Sequence, residues 1–134
     1  MGRIGIILIT VSLGLLRAEV IDRVAAAVGW NVITTSEIVE EIRVTAFLNG
    51  EKPEFSADSK RAAAARLVEQ TLIAREMAAG QFPAPEPAEV NRTLEEVKKQ
   101  RFASEAEYRR SLVEYGLQEE DLRRHLLKQL ATLR

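Results

Sequence analysis

Catalysis needs groups that ionise, attack or coordinate at defined spacing, and this chain offers few of them. His125 is the only histidine, and there is no cysteine. A general base needs an orienting acid and a substrate-facing partner. The nearest acid in sequence is Asp121, one helical turn before His125. His125 therefore reads as a flank residue beside a leucine stripe. The adjacent pairs Glu40-Glu41, Glu95-Glu96 and Glu119-Glu120 point about 100° apart on a helix and do not converge on one ligand. No metal-ligand spacing, glycine-rich phosphate loop or nucleophile elbow is present. No catalytic residue, metal or cofactor is assigned.

The remaining candidates are aromatic, and their chemistry is the gripping of apolar segments. Trp30 stands at an expected turn, where a polar residue is usual. Its indole either folds over its own hairpin or a helix, which is the leading reading, or stands out to hold another polypeptide. Phe47, Phe55, Phe102, Tyr108 and Tyr115 carry the same two readings, core first and client contact second.

These residues are positioned by a short series of elements. In Glu19–Ile42, Val20, Val24, Ala26 and Val28 alternate as one face of a strand, although Asp22 shares that face. Gly29-Trp30-Asn31 interrupts the run and Val32-Ile33 resumes it. Thr34 to Glu37 fits a capping box that opens a helix over 36–48. Ile38, Val39, Ile42, Ala46 and Phe47 form its apolar side, with Glu40, Glu41 and Arg43 opposite. Asn49-Gly50 closes it.

Asp58 is placed to cap a second helix over 59–79, which Gly80 ends. Three prolines in Phe82–Pro87 make a rigid elbow. A third helix over 88–101 carries the narrow stripe Val90, Leu94, Val97 and an expected Glu95–Lys99 pair. Ser104–Glu107 is a second capping box, and Gly116-Leu117 suits a Schellman ending after Tyr108, Leu112 and Tyr115. The last helix begins at Glu119-Glu120-Asp121, and Leu122, Leu126, Leu127, Leu130 and Leu133 form its apolar face. A terminal helix this rich in leucine wants a partner, within the domain or by self-association. The expected fold is mostly α: an N-terminal β-hairpin followed by about five helices.

The 134 residues suffice for one domain, with 46% hydrophobic and 29% charged side chains. The net charge of −1 lacks the basic footprint of a nucleic-acid binder. Arg3, the apolar run Ile4–Leu16 and the small residue Ala18 have the layout of a secretory signal peptide over 1–18, leaving one domain over 19–134. The run is short for a membrane span, which needs ~20 apolar residues. No membrane span is expected after cleavage.

The segment Glu19-Val-Ile-Asp-Arg-Val-Ala-Ala-Ala-Val-Gly, with Val32-Ile33-Thr34 and Ser36-Glu37-Ile38, resembles the mature N-terminal domain of SurA-type periplasmic chaperones and related parvulin-family peptidyl-prolyl isomerases. The resemblance continues through Leu67-Val-Glu-Gln-Thr-Leu-Ile-Ala-Arg-Glu-Met. It is clearest in Phe102-Ala-Ser-Glu-Ala-Glu-Tyr-Arg-Arg-Ser-Leu, Gly116-Leu117 and Glu120-Asp121-Leu122-Arg123. It implies an ATP-independent chaperone core in the periplasm that binds extended, aromatic-rich segments of unfolded outer-membrane or secreted polypeptides.

Trp30 replaces the polar turn residue usual in that family, and the parvulin pattern is absent from these residues, so isomerase activity is not carried over. A truncated front of an isomerase and a secreted assembly module are the alternatives. In the resembling family a returning C-terminal segment pairs with the first strand. Without it, the strand over 20–28 should have an open edge beside Trp30, available to an extended client or a second copy.

Overall fold

The structure, a computed structural model, describes residues 23–133. The leader expected at 1–18, the 19–22 part of the first strand, and Arg134 lie outside the described residues. Two strands, β1 (Val24–Val28) and β2 (Asn31–Thr34), precede five helices. These are α1 (Thr35–Asn49), α2 (Ala57–Ala79), α3 (Pro87–Arg101), α4 (Glu105–Tyr115) and α5 (Glu119–Thr132). The mostly helical architecture behind a small hairpin is the one the sequence predicts. No helix among the described residues is long and apolar enough to cross a membrane.

β1 and β2 pair antiparallel across the two-residue loop Gly29-Trp30, with Val28 opposite Asn31. Gly29 takes φ 62°, a left-handed value that glycine adopts without Cβ strain. The register breaks between Val24 and Ala26, leaving Ala25 as an extra residue. This bulge corrects the expected face. Ala26 and Val28 pack inward with Ile33, whereas Val24, opposite Thr34, is 62% exposed. One inserted residue exchanges the two faces of a strand, so Val24 cannot follow Ala26 inward.

The helix ends follow local chemistry. Thr34 Oγ1 accepts from the Glu37 amide at 3.2 Å, and Glu37 Oε2 accepts from the Thr34 amide at 2.8 Å, completing the expected box. Schellman endings close α1 at Gly50 and α4 at Gly116. The Glu51 and Leu117 amides donate to Ala46 and Leu112 carbonyls, each at 2.9 Å.

Three local expectations need correction. Ser56, not Asp58, caps α2, accepting from the Ser59 amide, while Asp58 in the first turn pairs with Arg61. Gly80 ends α2 as expected, with Gln81 beyond it left-handed at φ 55°. Lys98 rather than Lys99 meets Glu95, at 3.2 Å. Glu107 accepts from Ala103 instead of the cap residue Ser104.

The apolar side chains form two clusters with α1 between them. Ile33, Ile38, Ile42, Ala63 and Leu67 join the hairpin, α1 and α2. Val44, Phe47, Val90, Leu94, Tyr108, Leu112, Leu117, Leu122 and Leu126 join α1, α3, α4 and α5. Leu122 and Leu126 thus find their partner inside the domain, while Leu127 and Leu133 stay exposed. The expected single leucine face on α5 is split, because Leu126 and Leu127 point about 100° apart.

Candidate functional site

The aromatic candidates separate once the fold positions them. Phe47 on α1 is 1% exposed and Tyr108 on α4 is fully buried. Phe102 stacks on Phe47 at 5.5 Å between centroids, and Tyr115 meets Phe47 edge-on at 5.4 Å. The Tyr115 hydroxyl donates to the Glu51 carbonyl at 2.8 Å. As client contacts, Phe47 and Tyr108 are corrected: their rings are core. Phe102 and Tyr115 are half-buried against the same cluster and support it. Phe55 remains substantially exposed, with the Arg43 guanidinium 5.9 Å from its ring centre. Phe82, read only as part of the proline elbow, is also exposed.

Trp30 is 100% exposed at the tip of the hairpin. This overturns the leading reading of it as a packing residue. No strand or helix among the described residues covers the indole, since the two-residue loop carries it beyond the end of the ladder. Val32 is 53% exposed beside it. Among the described residues the sheet has two strands, so β1 and β2 each have an unpaired outer edge.

The open-edge expectation centred on β1, but the cleft lies beside β2. It has a volume of about 390 Å³ and runs between β2 and α2. Val32, Ile33, Leu67, Ala74 and Ala78 supply apolar lining, and Gln70, Arg75 and Lys128 supply polar lining. That volume lies in the ~300–1,000 Å³ range of ligand clefts. Its two walls come from elements about 40 residues apart in the chain, so periodicity within either segment gave no sign of it.

A polar cluster fastens this end of the molecule. Glu41 is 5% exposed, not on the solvated side with Glu40 as its helix pattern suggests. Its Oε2 lies 3.1 Å from His125 Nδ1, and its Oε1 accepts from Arg66 Nε at 3.1 Å. Burial alone would raise the Glu41 pKa. The hydrogen bonds and charges of His125 and Arg66 outweigh that and hold it below the ordinary carboxylate range. His125 is thus joined to Glu41 on α1. Asp121, the acid nearest in sequence, instead pairs with Arg124 and accepts from the Gln118 amide.

The cleft around His125 is lined by Glu37, Glu40, Glu41, Val44, Leu67, Arg124, His125 and Lys128. That lining has no hydroxyl or thiol nucleophile for the histidine to activate. The three-way contact reads as a fastening of α1, α2 and α5. A second fastening centres on Glu119, whose Oε2 accepts from Lys98 at 3.0 Å and from the Tyr108 hydroxyl at 3.1 Å. Burial pushes Glu119 up, but Lys98 and Arg123 prevail and bring it from 4.5 to about 2. Tyr108 is pushed up by burial and by the Glu119 charge.

No group of three or more His, Cys, Asp or Glu side chains among the described residues could hold a metal ion. No protein family, curated protein or solved structure matches the chain.

Proposed function

We propose that the protein binds extended apolar segments of unfolded polypeptides, without ATP, as a chaperone core of the SurA type. The observation that carries this reading is the hairpin: a fully exposed Trp30 at the tip of a two-stranded sheet whose outer edges are open among the described residues. An open edge offers main-chain donors and acceptors to an added strand, and an exposed indole adds apolar contact area. Holding a client this way requires surface and no reacting group. The leader layout of residues 1–18 supports a periplasmic location, where the clients would be secreted or outer-membrane polypeptides.

The purified chain should suppress aggregation of a diluted, unfolded β-barrel protein at near-stoichiometric ratio. Undiminished aggregation at excess chain would overturn the reading. A second reading, assembly through α5, draws on the exposed Leu127 and Leu133. Light scattering across a concentration series distinguishes self-association from a monomer.

A further inference from the structure

Chain binding by the hairpin leaves open which segments the neighbouring cleft prefers. Three observations bear on that preference. First, the cleft carries more positive than negative charge. Arg75 from α2 and Lys128 from α5 line it, and neither forms an ion pair among the described residues. Glu37, the one acid in the lining, is already committed to the Thr34 amide and hydroxyl.

Second, Arg75 stands at the hairpin tip. A Cβ built on Gly29 would lie 2.7 Å from Arg75 Nη1, so the guanidinium rests against the turn that carries Trp30. Third, Gln70 in the same lining has its Oε1 buried without a hydrogen-bond partner. A buried acceptor left unpaired costs roughly 1–3 kcal/mol, and a backbone N–H is the donor an extended peptide brings. Rotation about the terminal torsion of Gln70, which has a broad energy well, would present the amide to such a chain.

Apolar walls, two unpaired cations on separate helices and a wanting acceptor match one chemistry. We infer that the cleft between β2 and α2 binds an extended segment in which acidic side chains flank apolar ones, its carboxylates meeting Arg75 and Lys128. This rests on the client-binding reading and adds sequence preference to it. Two cations held on different elements suit two spaced carboxylates better than a single terminal one.

Calorimetric titration of the full chain tests the inference with end-capped peptides alternating valine, phenylalanine and glutamate, and with their glutamine counterparts. Capping removes the terminal carboxylate as a source of charge. The glutamate peptide should bind about tenfold more tightly, as two partly exposed charge contacts allow, and the margin should shrink with added salt. In the Arg75→Gln/Lys128→Gln variant the two peptides should bind alike.

Equal affinities in the unaltered chain, or a preference that survives in the variant, would overturn the inference. Suppressed aggregation together with equal affinities would leave the client reading standing and remove only this one. Absence of peptide binding, with a dimer that the same variant dissociates, would make a second copy of the chain the occupant and also overturn it.

Discussion

Phe47→Ala is expected to lower unfolding free energy by ~3–5 kcal/mol, the cost of removing a large buried ring and leaving a cavity. Total stability of a domain this size is ~5–15 kcal/mol, so the variant should be partly unfolded or melt far below the parent. Phe47 touches the rings of Phe102, Tyr108 and Tyr115, and aromatic pairs add ~0.5–1.5 kcal/mol each beyond buried area. The Arg101 guanidinium also lies 5.7 Å from its ring centre and donates to its carbonyl. Urea titration measures the effect. A variant with unchanged stability and weakened client binding would return Phe47 to the surface and contradict the core assignment. Trp30→Ser supplies the contrast: with the indole fully exposed, stability should change by no more than ~0.5 kcal/mol.

The second large effect is expected at Glu41. Glu41→Ala should cost ~2–3 kcal/mol, since it leaves His125 and Arg66 without their shared acceptor. The figure falls below the ~3–5 kcal/mol of a fully buried pair because the Arg66 side chain, 42% exposed, can return to water. A double-mutant cycle of Glu41→Ala with His125→Ala should show coupling of ~0.5–3 kcal/mol. Strict additivity would contradict the fastening.

The pH dependence has a fixed sign. Glu41 and Glu119 both have folded pKa values below their ordinary ones, so each binds a proton less readily folded than unfolded. Their stabilisation is present above the unfolded carboxylate range and is lost as pH falls through the folded values. For Glu119 that window runs from 4.5 to about 2. The fall in unfolding free energy between neutral and acid pH should therefore be smaller in a chain carrying Glu41→Met than in the parent, as urea titrations at the two pH values measure.

Much of the fold was legible because its signals are local. The Thr34–Glu37 box and the Gly50 and Gly116 endings are closed by hydrogen bonds within a few residues. What escaped the sequence depends on distant partners or on an inserted residue. Glu41 reads as solvated beside Glu40, because its partners Arg66 and His125 lie 25 and 84 positions away. The Ala25 bulge defeats a strict alternation that would place Val24 inside.

The candidate site was legible only in part. Trp30 stands out in the sequence as the residue of interest, but its exposure follows from the tight Gly29-Trp30 loop, over which no helix among the described residues lies. Phe47 and Tyr108 were candidates by type alone and went to the core by position. The cleft beside β2 needed α2 brought against the hairpin through Ala63 and Leu67, a contact no local pattern reveals.

The proposal that the hairpin receives clients can be tested by the chain's own fluorescence, because Trp30 is its only tryptophan. Titration with an unfolded, tryptophan-free β-barrel polypeptide should shift Trp30 emission to the blue and protect it from a soluble quencher, with saturation near the ratio that suppresses aggregation. Aggregation suppressed while Trp30 emission and quenching stay unchanged would contradict the account, since the client would then be held away from the hairpin.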